Sequence, residues 1–332
     1  MSTKIIQKPT IRSMREIREF YASQVHQNQF ESDPPGLYTA VDYILSKKGK
    51  QIRPTLVLMA CDLFSGRLEH AVNPAFGIEV FHNSTLVHDD IMDDAGLRRG
   101  HPSVHTVFGV NNAILAGDVM MFFTSKYLME TEEKYVLPIV RLFNKTAIEV
   151  FEGQQLDMCF EKRNNVSIDE YLQMIRNKTA VLLAASLQIG AITGNASLAD
   201  QNAIYQFGLN LGIAFQLQDD FLDVFGDQQK FGKKIGGDII NDKKTYLSIS
   251  AKEHASVSQQ NRINDMVLTA NKEEKIKGFL SLYEEMGIKE KTERIICDYH
   301  QLSMDSLDRI KVSDERKEPF RNLVKMLFHR EC

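Results

Sequence analysis

Two short runs of aspartate have the spacing to hold divalent cations. His88-Asp89-Asp90-Ile91-Met92-Asp93-Asp94 closes an apolar run from Ile78 to Val87. On a helix, residues four apart stack on one face, so Asp89 and Asp93 project together with Asp90 beside them. Four carboxylates in six residues repel one another unless cations neutralise them. Hard oxygen donors of this kind suit Mg²⁺, which keeps several waters and bridges to phosphate oxygens. A second cluster, Gln216-Leu217-Gln218-Asp219-Asp220-Phe221-Leu222-Asp223, repeats the spacing 130 positions later inside the apolar run Ile204 to Phe225. Unpaired carboxylates are costly to bury in such a helix. One such cluster reads as a solvated helix end, whereas two of matching spacing suggest facing banks across a cavity.

Cations stand where a polyphosphate would need them. Lys50 and Arg53 lie three apart in Gly49-Lys50-Gln51-Ile52-Arg53-Pro54, and Arg98-Arg99-Gly100 follows the first acidic cluster. Lys178-Thr179 and Lys233-Lys234-Ile235-Gly236-Gly237-Asp238 add more. Guanidinium forks and ammonium groups are the usual clamps for phosphate. Any one of these is an ordinary surface charge; together with the carboxylates they form a set suited to a Mg²⁺-diphosphate.

The elements that must carry these groups are helical. Only 8 prolines and 19 glycines punctuate 332 residues, and apolar residues recur every three or four positions. Examples are Ile11 to Phe20, Leu56 to Leu63, Ile114 to Leu128, Val136 to Phe151 and Tyr171 to Ile192. Ten or more helices in one all-α domain over 1–332 are expected, with the polar stretch Lys252 to Lys277 as a mobile surface connection. A net charge of −4 argues against a nucleic-acid partner that needs a basic face. No segment approaches the ~20 apolar residues of a membrane span, and no secretory leader is evident. Four cysteines far apart (Cys61, Cys159, Cys297, Cys332) fit reduced thiols of a cytoplasmic protein.

Taken in order, the motifs resemble those of the trans-isoprenyl diphosphate synthase (polyprenyl synthetase) family along nearly the whole chain. They are Gly49-Lys50-x-x-Arg53-Pro54, His82, Asp89-Asp90-x-x-Asp93, Arg98-Arg99-Gly100, Gly153-Gln154-x-x-Asp157, Lys178-Thr179, Phe215-Gln216-x-x-Asp219-Asp220-x-x-Asp223, Gly232-Lys233 and Lys243. The resemblance implies an all-α bundle around a deep central cavity, a homodimer, and condensation of allylic diphosphates with isopentenyl diphosphate. It assigns Asp89, Asp93 and Asp219 to three Mg²⁺ ions, with Mn²⁺ as a substitute, and Asp90, Asp157, Asp220 and Asp223 to the water and cations around them. It gives Arg98, Lys178, Lys233 and Lys243 to the allylic diphosphate. Lys50, Arg53, His82 and Arg99 go to isopentenyl diphosphate, and Thr179 and Gln216 face the reacting carbons. The segment Asp242-Lys243-Lys244-Thr245-Tyr246-Leu247 lacks the Gly and Pro that the family often places there, which changes the loop holding Lys243.

Product length is expected to depend on the helix before the first cluster. Ser84 and Phe81 precede Asp89 by five and eight residues, roughly 7.5 and 12 Å along the axis. Short-chain family members place a bulky aromatic at the upper position; Ser84 leaves it open and Phe81 forms a floor one turn deeper. Geranylgeranyl diphosphate or one unit more is therefore expected, with farnesyl or longer polyprenyl products as alternatives, and a terpene cyclase or non-catalytic subunit behind them. The His88-Asp89-Asp90 order also occurs in metal-dependent phosphohydrolases, but their distant histidine ligands are not evident. His101 and His105 read as loop or capping residues.

Overall fold

The computed structural model describes residues 11–25, 30, 33–34, 36–226 and 236–328 of the chain. These residues form sixteen α-helices, one π-helical turn and one two-strand hairpin. The helices are α1 (Met14–Gln24), α2 (Leu37–Ser46), α3 (Ile52–Leu63), α4 (Glu69–Met92), α5 (Val104–Phe108), α6 (Val110–Met129), α7 (Glu133–Glu161) and α8 (Ile168–Ile175). They continue as α9 (Val181–Thr193), α10 (Leu198–Phe225), α11 (Gly237–Ile240), α12 (Tyr246–His254), α13 (Val257–Val267), α14 (Lys272–Glu285), α15 (Ile288–Asp308) and α16 (Asp314–Leu327). Hydroxyl and amide residues start several of them: Ser13 with Glu16, Ser167 with Glu170 and Ser256 with Gln259 form reciprocal caps, and Asn271 caps α14. Such caps satisfy amides that have no partner inside the helix. The stretch Lys252 to Lys277, expected as a mobile connection, is mostly helical, because the caps at Ser256 and Asn271 start α13 and α14 within it. No described helix is long and apolar enough to cross a membrane.

The chain separates into two compact units. The first comprises Met1–Asn144, Ala185–Ile204 and Ile310–Leu323. Its centre is α3, where every residue from Pro54 to Leu63 is buried, as a helix apolar on all sides requires. Helix α4 packs along α6 and α3, with Phe76 edge-on to Tyr127 and Phe81 edge-on to Phe143. Polar links fasten the end of α3. The Arg12 backbone N–H and guanidinium donate to Asp62 at 3.1 and 2.5 Å, while Arg316 donates to the carbonyls of Leu63 and Asp62.

The second unit comprises Lys145–Ala184, Tyr205–Arg309 and Val324–Cys332. Val224, Leu247, Ile263, Phe279, Leu282, Tyr283 and Ile288 form a core there. Its distinctive element is the π turn Arg176–Ala180 between α8 and α9. Such widened turns are rare and concentrate at functional sites. Two glycines let neighbouring helices reach it. A Cβ on Gly153 of α7 would stand 2.2 Å from the Lys178 nitrogen, and one on Gly212 of α10 would stand 2.6 Å from the Ala180 Cα. Both obstacles are backbone, which has little room to retreat.

Cysteine usage departs from expectation at one position. Cys61 is a buried free thiol and Cys159 an exposed one, but Cys297 is disulfide-bonded. Spacing reports only local pairs, and a bridge between residues distant in sequence is set by tertiary proximity. Cys332 and the rest of the 329–332 tail lie outside the described residues, as does Lys233 with its neighbours 227–235.

The close approach at the π turn gives the first prediction. Gly153→Ala should lower unfolding stability by about 2 kcal/mol or more, since overpacking against backbone costs at least as much as overpacking a core. Urea unfolding followed by circular dichroism measures it, and an unchanged midpoint would show that α7 can slide away.

Candidate active site

In the first unit, α4 carries the acidic cluster to its own end. Asp89, Asp90 and Met92 close the helix and Asp93 caps it, its N–H still bonded to the Asp89 carbonyl at 2.9 Å. Asp89 and Asp93 therefore keep the four-residue relation of one helix face. Asp94 then turns left-handed at φ 48°, and the Ala95 N–H returns to the Asp90 carbonyl at 2.9 Å. That closure is usually made by glycine, and aspartate is among the few other residues that tolerate it. Asp89 is half-buried and Asp93 exposed, whereas Asp90 is completely buried. Arg98 meets the Asp90 carboxylate through Nε at 2.8 Å and through Nη2.

The next two residues send the second arginine elsewhere. Leu97–Arg98 pairs with His101–Pro102, and Arg99 and Gly100 form the two-residue turn at φ 54° and 77°. Positive φ at both positions defines the hairpin turn whose twist matches its strands. Arg99 reaches back to the connection between α2 and α3, donating to the Lys47 carbonyl at 2.5 Å and to Asn83 Oδ1 at 3.3 Å. Gly49 makes room, since a Cβ there would fall 2.7 Å from the Arg99 guanidinium carbon.

Beneath Arg99, α3 and α4 place Arg53 beside His82, Nη1 to Nε2 at 3.1 Å. Arginine can only donate, so His82 Nε2 accepts and the ring is neutral with its proton on Nδ1. Burial first, then the guanidinium charges of Arg53, Arg99 and Arg98, push the His82 pKa well below its ordinary 6.5. Burial likewise lowers Arg53 to about 10. Glu79, one turn before His82, is buried and balances these cations; burial raises its pKa, and Arg53 and the Asn83 amide oppose that. Glu79 and Asn83 were not foreseen from the sequence. The only sequence signal for them is their spacing of three and one from His82.

In the second unit, the π turn and α10 bring several expected residues together. Lys178 Nζ donates to Asp157 of α7 at 2.5 Å, and Thr179 Oγ1 donates to Gln216 Oε1 at 3.2 Å. Gln216 Nε2 donates to Asp220 Oδ1 at 3.0 Å, and the buried Tyr171 hydroxyl donates to Asp220 Oδ2 at 2.5 Å. Burial raises the Asp220 carboxyl to about 7, with Lys243 pulling the other way. Burial would lower the Lys243 pKa, but its ammonium interacts with Asp238, Asp220, Asp157 and Asp219, which together hold it above the ordinary value. Asp219 is exposed, and Asp223 accepts the Asp238 N–H at 2.8 Å through Oδ2 and the Gly236 N–H at 2.6 Å through its carbonyl. Tyr171 and Asp238 are further members that motif spacing does not reveal.

Ser84 and Phe81 are both buried, and the Ser84 hydroxyl is spent on the Phe81 carbonyl at 2.7 Å. Lys50 is exposed. His88 lies against α6, 3.3 Å from the Ile114 carbonyl and 3.6 Å from Asp118, rather than among metal donors. His105, the second residue of α5, has its Nδ1 3.2 Å from the hydroxyl of Ser103, the residue that precedes the helix. Among the described residues, no three His, Cys, Asp or Glu side chains converge as a closed metal cage. Mg²⁺ does not require one, because it is held by one or two carboxylates together with water and substrate phosphate. The outward carboxylates of each cluster, with the middle one committed to a protein partner, fit that donor set.

Comparison with known proteins gives one consistent result. The polyprenyl synthetase family matches residues 34–286. A short chain isoprenyl diphosphate synthase of Methanothermobacter thermautotrophicus is 33% identical over 92% of this chain and 94% of its own length. A geranylfarnesyl diphosphate synthase of Natronomonas pharaonis is 36% identical over 73% of this chain and 76% of its own length. Among solved structures, a geranylgeranyl pyrophosphate synthase superposes with a TM-score of 0.90 at 36% identity, covering 97% of this chain and 100% of that one.

The neutral His82 has a consequence for acid stability. Its depressed pKa means that unfolding takes up a proton below the ordinary value of 6.5, so the unfolded state gains with falling pH. Melting temperature should therefore drop more steeply between about pH 7 and about pH 5 in the wild type than in His82→Gln, which cannot titrate. Parallel curves would contradict the neutral, buried ring.

Proposed function

Because the chain belongs to the polyprenyl synthetase family, we propose that it condenses allylic diphosphates with isopentenyl diphosphate, head to tail, to give a longer trans-prenyl diphosphate. The observation that carries this reading is the parallel between the two clusters. In each, the middle aspartate is buried on a protein partner and a flanking one is exposed. Asp89, Asp93 and Asp219 are the residues that would hold Mg²⁺, three ions per site, with Asp90, Asp157, Asp220 and Asp223 ordering the groups around them. When bound, Mg²⁺ supplies Lewis-acid neutralisation of the departing diphosphate charge.

The chain's own residues do the remaining work. Lys178, Lys243, Arg98 and, outside the described residues, Lys233 bind the allylic diphosphate and stabilise it as the allylic C–O bond breaks. Lys50, Arg53 and Arg99 fix the second diphosphate, and neutral His82 offers its Nδ1–H as a donor. Holding the isopentenyl double bond beside the allylic cation replaces a bimolecular encounter by a positioned one. Thr179 and Gln216, linked to each other and to Asp220, turn their oxygens toward the cationic carbons. The released diphosphate is the base that takes the final proton.

We treat 1–332 as one polyprenyl synthetase domain working as a homodimer in the cytoplasm. The exposed apolar residues of α6, among them Val110, Leu115, Phe122 and Met129, support a covered face. For product length, the edge-on packing of Phe81 against Phe143 at 5.0 Å supports a firm floor, and geranylgeranyl diphosphate, or one unit more, is the product.

Two measurements test this. Asp89→Ala should reduce Mg²⁺-dependent turnover by about three orders of magnitude; near-normal turnover would sink the assignment. Chromatographic sizing with dimethylallyl, geranyl and farnesyl diphosphates as starters should give geranylgeranyl or geranylfarnesyl diphosphate. Phe81→Ala should lengthen that product and Ser84→Phe shorten it. A wild type that stops at farnesyl diphosphate contradicts the length reading, and hydrocarbon released without consumption of isopentenyl diphosphate contradicts the reaction.

A further inference from the structure

The segment joining α2 to α3, residues 47–51, carries Lys50, and its carbonyls are tied down from several directions. Arg99 takes the Lys47 carbonyl at 2.5 Å, Thr55 takes that of Gln51 at 2.7 Å, and Arg18 Nη2 takes that of Lys50 at 2.9 Å. The segment bends into α3 through Gln51 at φ 49°, a left-handed conformation that non-glycine residues hold only when their surroundings over-determine it. Arg99 and Thr55 lie within the span 34–286 that matches the family; Arg18 does not. It comes from α1, which precedes that span.

Helix α1 is fixed in place on its own account. Its capping box closes the N-terminus, and Arg12, just before it, is bound to Asp62. One turn beyond Arg18, Tyr21 is 2% exposed and its hydroxyl is buried without a hydrogen bond. Tyr21 lines a cavity of about 60 Å³ together with Lys48, Gln51, Glu79, Asn83 and Arg99. The Arg18 Nε is also buried without a partner. Arg18 is half-buried with its Nε shielded, and the donor it spends on the Lys50 carbonyl holds that carbonyl in place. What it holds is the peptide from which Lys50 projects.

We infer that α1 is a brace for the isopentenyl diphosphate subsite, and that Arg18 is a positioning residue acting through Lys50. The inference rests on the reading that Lys50, Arg53 and Arg99 bind that diphosphate. Arg18 does not touch the reacting atoms. It lowers the ordering that the connection must undergo when substrate binds, and ordering costs of this kind are read in affinity. The effect belongs to one substrate of the two, because the bonds that Arg12 and Arg18 make end on Asp62 and on the Lys50 carbonyl.

Steady-state kinetics with both substrates varied tests the inference. Arg18→Met keeps the apolar stem and removes the donors. It should raise KM for isopentenyl diphosphate about tenfold, the scale of one charge-assisted hydrogen bond, with kcat and KM for the allylic substrate within about twofold. Arg18→Lys, which can still donate to the carbonyl, should recover part of the loss. Lys50→Ala is the control: if it leaves KM for isopentenyl diphosphate unchanged, the subsite reading itself fails. If Lys50→Ala raises that KM and Arg18→Met does not, only the role of Arg18 is overturned. A fall in kcat, both affinities and melting temperature together would mean a merely structural residue and would also overturn it. Should Arg18→Met fail to fold, Arg18→Lys combined with Lys50→Ala decides, since a positioning role makes the pair no worse than Lys50→Ala alone.

Discussion

A buried carboxylate must be met by something, and this constraint organises both acidic clusters. Asp90 and Asp220 are the fully enclosed members, and an uncompensated charge in either place would cost several kcal/mol. The chain meets the two demands differently. Asp90 receives a guanidinium from the hairpin that follows it, a charged pair at the end of α4. Asp220 receives a phenol and an amide, and burial lifts its carboxyl to about 7. Once the middle carboxylate is anchored, the helical period sets the direction of its neighbours at minus one and plus three.

The same anchoring explains the rest of the local architecture. Arg98 meets Asp90 after the chain turns out of α4 at Asp94, and the reversal at Arg99-Gly100 then sends Arg99 to the Lys47 carbonyl. In the second unit, the path from Tyr171 through Asp220 and Gln216 to Thr179 crosses from α8 to α10 and back to the π turn. It is held at that spacing by Gly153 and Gly212, which let helix backbones approach without side chains between them. Gly153-Gln154-x-x-Asp157 is thus one mechanical statement: the glycine seats Lys178 and the aspartate receives its ammonium.

Charge in the first unit is balanced rather than accumulated. Burial, and then the charges of Arg53, Arg99 and Arg98, keep His82 neutral, and Glu79 is the buried counter-charge that lets Arg53 remain inside. A cluster of cations without such a carboxylate would repel itself in a low dielectric. The result is a set of donors that is cationic toward an anion yet stable in its absence.

The sequence alone determined the helical class, both aspartate clusters, and the set of cations that goes with them. Composition and the spacing of apolar residues are local properties, and helices follow local rules. It also determined which aspartates share a face, since that is the helical period. It did not reveal that Asp90 and Asp220 turn inward, that Tyr171 bonds Asp220, that Glu79 is buried beside Arg53, that Arg18 bonds the Lys50 carbonyl, or that Cys297 forms a disulfide. Tyr171 reaches Asp220 across 49 positions and Arg18 reaches Lys50 across 32, and even Asp90 meets Arg98 only after the helix has ended, eight residues on. Such pairings depend on how helices pack, and packing is decided by the whole chain at once.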